Sequence, residues 1–188
     1  MRPVPGLPAV IDMQRVFADP GTPWATPWYA EAAAGVARLL PAFGDRVMFT
    51  RFLAPRPARP ARRGLARLLR PAAFRPPVAG CRAVAADAGV RRPGRPVLDA
   101  ETFGKWTPEP AARPAPGSRL VLAGVSTESC VPATALAAAD AGVEVVVVAD
   151  ACVGVDDEAH AKALHVLDLY WPLARVTTVH QLRGEDGP

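Results

Sequence analysis

The sequence surroundings of one cysteine, Cys130, are those expected of a nucleophile. Cys130 lies in GVSTESCVPATALAAADAG, residues 124–142, in which a glycine ends an apolar run and an alanine-rich helix follows. This spacing puts Cys130 in the first helical turn, where free N–H groups and the helix dipole lower a thiol pKa. The same N–H groups can hold the oxyanion of a tetrahedral intermediate. The pattern predicts a thiolate nucleophile, although position alone fits a buried structural cysteine as well.

A thiol nucleophile also needs a proton acceptor, and no histidine fits that role by its local pattern. His160 and His165 fall on a predicted surface helix, and His180 lies near the C-terminus. Asp12 closes the first apolar run, LPAVID, and a carboxylate there can accept the thiol proton and later activate water. The alternative for Asp12 is an ordinary turn or helix cap, which is common at strand ends.

Lys105 is the candidate for the charged partner of these two groups. It is one of only two lysines in an arginine-rich chain and lies between aromatic residues in TFGKW. Partial burial beside Asp12 would let its ammonium keep the carboxylate ionised and favour the thiolate. The alternative is a surface lysine whose stem crosses the neighbouring rings.

Alternating strand and helix patterns must position these residues. Apolar runs predict strands at 7–12, 45–51, 96–98, 119–125, 143–149 and 175–179. Helical spacing predicts helices at 26–43, 128–141 and 156–170, the last capped by Asp156 or Asp157. This order indicates an α/β fold with an open parallel sheet and right-handed crossovers. Ligands bind at the carboxyl ends of such strands, which selects Asp12, the Arg51 region and the residues after Val125 as one neighbourhood.

Length and composition predict one domain over residues 1–188, placed in the cytoplasm, with an atypical Arg/Pro/Ala-rich segment at 54–96. Twelve of the 22 basic residues lie between Arg51 and Arg95, where Asp87 is the only acid. Outside that stretch 10 basic residues face 17 acidic ones, so nucleic acid is not the expected partner. The segment is interpreted as a mobile flap, a partner-binding arm or a frame-shifted stretch. No apolar run is long enough to cross a membrane.

Metal and nucleotide motifs are missing from the sequence. Three widely spaced cysteines, at positions 81, 130 and 152, form no CxxC pair, and no Cys/His cluster of zinc type occurs. There is also no GxGxxG or Walker motif. We therefore predict no metal and no cofactor.

Three separate motifs resemble the isochorismatase-like cysteine hydrolases, a superfamily that includes N-carbamoylsarcosine amidases and nicotinamidases. They are the strand end at Val10–Gln14, the lysine of Phe103–Trp106, and the turn and helix start at Gly124–Val131. They occur in family order, and the likeness covers residues 7–52 and 97–180. The resemblance implies a Rossmann-like three-layer α/β/α fold with a mainly parallel sheet.

The resemblance also implies roles for particular residues. Asp12, Lys105 and Cys130 would form the triad, and the backbone N–H groups of Ser126 and Cys130 the oxyanion hole. A cis peptide would fall at Val125–Ser126. Nicotinamidase-type members carry an Asp/His metal cluster after the second strand, but here that place reads TRFLAP without histidine. This departure argues against a metal site and against nicotinamidase activity.

The presence of Cys130 favours hydrolysis of a C–N bond, amide or ureido, in a small molecule through a thioester. Substrate contacts are predicted at Gln14, Phe17, Trp24 and Trp106, with Trp28 a further candidate and core packing the alternative for each aromatic residue. Two other functions stay open: vinyl-ether hydrolysis of the isochorismatase type through Asp12, and an inert scaffold whose basic segment docks an acidic partner. The fold further suggests a homo-oligomer, a dimer or a tetramer.

Overall fold

A six-stranded sheet forms the centre of the protein. The computed structural model describes residues 4–53, 97–106 and 114–184. The strands are β1 (Leu7–Ile11), β2 (Met48–Phe52), β3 (Val97–Ala100), β4 (Arg119–Val125), β5 (Glu144–Val153) and β6 (Ala174–Thr177). They lie in the order β3-β2-β1-β4-β5-β6, and every described pairing is parallel. β1 is therefore flanked by β2 and β4, so the chain that leaves it is enclosed on both sides.

Helices cover both faces of this sheet. They are α1 (Arg15–Ala18), α2 (Tyr29–Leu39), a 3₁₀ helix (Leu40–Phe43), α3 (Cys130–Asp140), α4 (Asp157–Asp168) and α5 (Val179–Gly184). Side chains alternate across the strands, so Val10 joins the core under α2 whereas Ile11 joins the core under α3. A parallel sheet buried on both faces explains the continuous apolar strands. The predicted three-layer α/β/α fold is confirmed.

Several predicted boundaries shift for identifiable reasons. The helix expected at 26–43 begins at Tyr29 and tightens into the 3₁₀ helix at Leu40, where Pro41 follows. β5 continues past residue 149 to Val153, with Asp150 facing out and accepting the N–H of Val179 at 2.8 Å. Asp156 caps α4 as predicted, accepting the N–H of Ala159 at 2.7 Å.

Some predictions fall where the fold does not test them. The Arg/Pro/Ala-rich segment 54–96 and Cys81 lie outside the described residues. The single-domain organisation and the cytoplasmic location also stay predictions. In the described part of the chain, no helix has the length and apolar character that a membrane span needs.

Gly124 allows β4 to approach the end of β1, directly before Asp12. Its φ is +117°, and a Cβ there would lie 2.1 Å from the carbonyl oxygen of Ile11. We expect Gly124→Ala to lower the free energy of unfolding by about 3–5 kcal/mol, because backbone strain and a steric clash add. Gly117→Ala is the matched control: its φ is +80° but nothing lies within 4 Å, so only about 1 kcal/mol of strain is expected. Equal losses in urea unfolding would contradict the close-approach argument.

Candidate active site

A buried ion pair lies at the carboxyl edge of the sheet. The Lys105 ammonium is 2.8 Å from Asp12 Oδ2, and both side chains are completely buried. Lys105 Nζ also donates to the carbonyl of Thr102 at 2.8 Å and lies 5.1 Å from the centre of the Phe52 ring. Two charges removed from water in this way are tolerated only with close pairing and further hydrogen bonds. The pair is therefore a built feature of this edge.

Thr50 on β2 fixes the carboxylate from its other side. Its hydroxyl donates to Asp12 Oδ1 at 2.7 Å and accepts the backbone N–H of Asp12 at 3.1 Å. Asp12 itself has a φ of +49°, in the left-handed region that residues other than glycine seldom adopt. Partners on neighbouring strands and loops thus hold both carboxylate oxygens of Asp12. These contacts stabilise its strained backbone.

Cys130 begins α3 and faces this pair. Its side chain is 1% exposed, and it lies close enough to Asp12 and Lys105 for both charges to act on the sulfur. A single hydroxyl links the lysine segment to the nucleophile's helix: Thr134 Oγ1 accepts the N–H of Lys105 at 3.0 Å and donates to the carbonyl of Cys130 at 2.7 Å. The structure therefore brings together the three residues that the sequence selected, and their catalytic roles stay predictions.

Burial opposes the thiolate form that a helix start would favour in Cys130. Burial raises the pKa of the Cys130 thiol well above its usual range, and the adjacent Asp12 charge raises it further. Lys105 and the Ser126 backbone lower the pKa but do not compensate. Burial also raises the pKa of Asp12, against the opposing effect of Lys105, which makes the carboxyl a better proton acceptor. The expectation of a depressed thiol pKa is therefore corrected: burial outweighs the effect of the helix start on the pKa of this thiol.

The pH dependence of alkylation tests this assignment. The rate of Cys130 modification by iodoacetamide should still be rising above about pH 10, where a free cysteine has levelled off. Asp12→Asn should shift the profile to lower pH because it removes the charge that opposes the thiolate. Lys105→Met should shift it to higher pH because a stabilising cation is lost. Peptide mapping separates Cys130 from Cys152, whose pKa burial raises to about 12; shifts in the same direction for both variants would refute the electrostatic model.

The turn that carries the nucleophile is anchored to the start of α4. The Val125–Ser126 peptide is cis, as the resemblance implied. The N–H of Thr127 donates to the carbonyl of Val153 at 3.0 Å, and His160 Nδ1 lies 2.9 Å from Thr127 Oγ1. The first N–H groups of a helix have no intrahelical acceptor, so that of Cys130 is available to a ligand. His160 was predicted to be solvated or at the core edge, and the structure gives it a contact with this turn.

The predicted substrate contacts fall into different places. Gln14 is buried and pairs with the backbone of Phe52 in both directions, at 3.1 Å as donor and 2.7 Å as acceptor. Phe17 is 1% exposed and packs behind Trp24, with ring centres 5.8 Å apart. Trp106 is half-buried against the core under α3, and Trp28 is 46% exposed. Substrate binding by these residues stays a prediction.

Trp24, Phe52 and Phe103 form a stacked group that we call the aromatic wall. Trp24 and Phe52 have ring centres 5.5 Å apart at an interplanar angle of 14°, and Phe52 and Phe103 are 5.7 Å apart at 26°. Phe52 is buried, whereas Trp24 and Phe103 are partly exposed. Because Phe52 also contacts Lys105, the wall adjoins the ion pair.

The described residues offer no metal centre. Among residues 4–53, 97–106 and 114–184, no group of three or more His, Cys, Asp and Glu side chains is arranged to hold an ion. At the end of β2, Arg51 pairs with Asp99, with Arg51 Nε 2.6 Å from Asp99 Oδ1. The metal-free site stays a prediction.

Sequence reasoning assigned no contact to Thr50, Thr134 or Phe52. Two of them have a partial signal: Thr50 is a polar residue in the apolar run MFTRF, and Thr134 lies one helical turn after Cys130. The sequence does not identify Asp12 as the partner of Thr50 or Lys105 as a partner of Thr134, because both come from distant segments.

Comparisons with known proteins agree with this geometry. The model of the isochorismatase domain matches residues 9–181. No curated protein matches the chain. Three solved structures illustrate the shared fold. The cysteine hydrolase from Pseudomonas syringae pv. phaseolicola 1448A gives a TM-score of 0.76 at 17% identity, covering 97% of this chain and 93% of that one.

Two amidases are also similar to the chain. The nicotinamidase from Bacillus subtilis gives a TM-score of 0.70 at 19% identity, covering 91% of this chain and 98% of that one. The pyrazinamidase of Pyrococcus horikoshii, solved in complex with zinc, gives 0.67 at 23% identity, covering 92% and 98%. At these identities the structures establish the fold.

Proposed function

The chain belongs to the isochorismatase family of hydrolases, and from that premise we propose that it cleaves a C–N bond of a small amide through Cys130. The observation that carries the proposal is a buried ion pair of Asp12 and Lys105 whose charges both act on the buried thiol of Cys130. A nucleophile, a proton acceptor and a fixed positive charge are the three groups that acyl transfer by a thiol requires. The nicotinamidase and pyrazinamidase neighbours, by their names, also act on amides.

The first half of the reaction forms a thioester. Cys130 Sγ attacks the carbonyl carbon of the substrate while its proton passes to Asp12. The N–H groups of Ser126 and Cys130 hold the oxyanion that develops on the carbonyl oxygen. Asp12 then gives the proton to the nitrogen, the C–N bond breaks, and ammonia or an amine leaves. The negative charge lies on the carboxylate at some stages and on the sulfur at others, and Lys105 compensates it in both places.

The second half regenerates the enzyme. Asp12, ionised again, takes a proton from a water molecule that attacks the thioester carbon. The second tetrahedral intermediate collapses with the sulfur as leaving group, and the proton on Asp12 returns to it. A carboxyl whose pKa is raised by burial suits this repeated exchange, because it accepts and releases protons more readily than an ordinary carboxylate near neutral pH.

The aromatic wall supports a substrate with a flat apolar group beside the amide. Stacking on an aromatic surface adds about 0.5–1.5 kcal/mol beyond the apolar area buried. We therefore expect kcat/KM for benzamide to exceed that for acetamide by about tenfold or more. Ammonia release measures both substrates in the same assay.

Replacing Trp24 tests the aromatic wall separately from general effects on activity. Trp24→Ala should raise KM for benzamide by about tenfold and change acetamide hydrolysis little. Trp28→Ala is the matched control, since Trp28 is 46% exposed and outside the wall. If the folded protein hydrolyses no amide or ureido substrate, C–N hydrolysis is refuted. If Trp24→Ala loses as much activity on acetamide as on benzamide, only the role of the aromatic wall is refuted.

A further inference from the structure

A hydrogen-bonded link joins the turn before the nucleophile to helix α4, outside the triad. His160, in the first turn of α4, has its Nδ1 atom 2.9 Å from Oγ1 of Thr127. Thr127 follows Ser126 directly and is completely buried, whereas His160 is half-buried. A buried hydroxyl needs a hydrogen-bond partner, so the imidazole satisfies a group that the fold has removed from water.

The backbone of the same turn is held at two further points. The N–H of Thr127 donates to the carbonyl of Val153, at the end of β5, at 3.0 Å. The carbonyl of Ser126 accepts the N–H groups of Ser129 at 3.1 Å and Val131 at 3.2 Å. Both polar atoms of the peptide group between Ser126 and Thr127 are therefore held. This peptide group adjoins the Ser126 N–H that the proposed mechanism directs at the oxyanion.

The turn and the start of α4 are packed tightly against each other. Gly154 lies between them, and a Cβ there would be 2.6 Å from Glu128 Oε2, in the turn, and 3.2 Å from the Cβ of His160. The helix start is itself fixed, because Asp156 caps it by accepting the N–H of Ala159 at 2.7 Å. His160 thus reaches the turn from a rigid support, which is what precise positioning of a reactive group requires.

We propose that His160 is a positioning residue for the oxyanion hole, acting through Thr127 on the N–H of Ser126. The assignment rests on the proposed amide hydrolysis and adds a group that acts through the turn instead of on the reacting atoms. An oxyanion donor is effective only when it lies about 2.7–3.1 Å from the oxygen that becomes charged. A displacement of the turn by ~1 Å therefore weakens catalysis although every reacting group is still present.

The contribution of His160 is geometric, because the imidazole is neutral at pH 7. Burial lowers the pKa of His160, against the opposing effect of Asp157. A neutral imidazole can donate to the Thr127 hydroxyl or accept from it, according to its tautomer. An uncharged side chain that offers the same hydrogen bond should therefore replace His160.

Kinetics on benzamide test the link. His160→Leu and Thr127→Val each remove one partner, and each should lower kcat by about 10- to 100-fold with KM nearly unchanged, because oxyanion bonds strengthen in the transition state. The double variant should lose no more than the larger single loss, since both changes break one bond. His160→Asn, whose side-chain amide can stand where Nδ1 stands, should restore most of kcat. His165→Leu, which removes an exposed histidine from the same helix, should match the wild type.

Two measurements without turnover separate positioning from other effects. Alkylation of Cys130 by iodoacetamide displaces iodide and builds no oxyanion, so its rate in His160→Leu should stay close to that of the wild type. Amide hydrogen exchange of residues 126–131 should become faster in His160→Leu and Thr127→Val but not in His160→Asn, because only the first two variants release the turn.

Three results would overturn the role of His160: His160→Asn as slow as His160→Leu, losses that add in the double variant, or alkylation that falls as far as kcat. Failure of the proposed function is a different result, namely a wild-type protein that hydrolyses no amide. Hydrogen exchange still decides in that case, because exchange that His160→Leu leaves unchanged would show that His160 does not hold the turn.

Discussion

Replacing Cys130 with alanine should lower kcat for amide hydrolysis by about 10⁴-fold or more, to a level set by binding and the oxyanion N–H groups alone. The reason is that Cys130 is the one described thiol beside Asp12, and the Thr50 hydroxyl and Lys105 ammonium that also contact the carboxylate are weaker nucleophiles. Ammonia release under substrate saturation measures the loss. The thiol is 1% exposed, so its removal leaves a small cavity, but only one heavy atom is lost and the cost in stability should be modest, which urea unfolding checks.

Cys152→Ala is the matched control for this experiment. Cys152 is also a buried cysteine, 6% exposed on β5, with its sulfur 3.9 Å from the carbonyl of Leu122. The control should lose comparable stability and keep full activity. Amide hydrolysis that survives in Cys130→Ala would contradict the thioester route. Hydrolysis of a vinyl ether that survives while amide hydrolysis is lost would instead assign an additional activity to Asp12.

Lys105→Met should be the most destabilising single change in the site, costing about 3–5 kcal/mol, because it leaves the buried Asp12 charge without its partner. Methionine keeps much of the volume of the lysine stem, so the loss reports charge rather than a cavity. Activity should fall with it, since Asp12 would then hold its proton and cannot serve as the base. Urea unfolding and kcat are the two measurements.

Acidification should partly rescue this variant. Without Lys105 the pKa of Asp12 in the folded protein rises further above its unfolded value, which is about 4. A group with a raised folded pKa destabilises the fold at neutral pH, and this penalty shrinks as pH falls toward the unfolded pKa. The stability gap between wild type and Lys105→Met should therefore narrow between about pH 7 and 4. A gap independent of pH would indicate lost packing instead.

The double variant Asp12→Asn, Lys105→Met separates stability from function. With both charges removed, most of the stability should return, because a neutral buried pair carries little desolvation cost. Activity should stay absent, since no proton acceptor remains. Recovered activity in the double variant would remove Asp12 from the mechanism.

The sequence was sufficient to predict the fold and to predict which candidate residues meet at one edge of the sheet. Continuous β-branched residues such as VEVVVVA are typical of strands buried on both faces, and their alternation with helices predicts a parallel sheet covered by helices. In such a sheet the residues that follow β1 and β4 must meet at one edge, which is why Asp12 and Cys130 could be paired before any coordinates. The prediction for Lys105 relied on a motif, because the local sequence pattern does not show where the loop after β3 turns.

The protonation state could not be read from the sequence. A helix start lowers a thiol pKa and burial raises it, and the balance depends on how completely distant segments enclose the sulfur. Here the side chain is 1% exposed and lies beside Asp12 and Lys105 from distant segments, so burial dominates. The hydroxyl partners Thr50 and Thr134 were missed for the same reason: threonine is common in strands and helices, and only tertiary packing shows which carboxylate or carbonyl it meets.

The bridge through Thr134, between the N–H of Lys105 and the carbonyl of Cys130, has a consequence for how the protein is made in the cell. Asp12 and Lys105 are 93 residues apart in the chain, and in the proposed mechanism none of the three groups acts without the other two. A growing or half-folded chain therefore carries a solvated cysteine and a solvated aspartate that are not positioned together. Under the proposed function, amide hydrolysis begins only when these long-range contacts have formed, so partly folded chains are inactive as hydrolases.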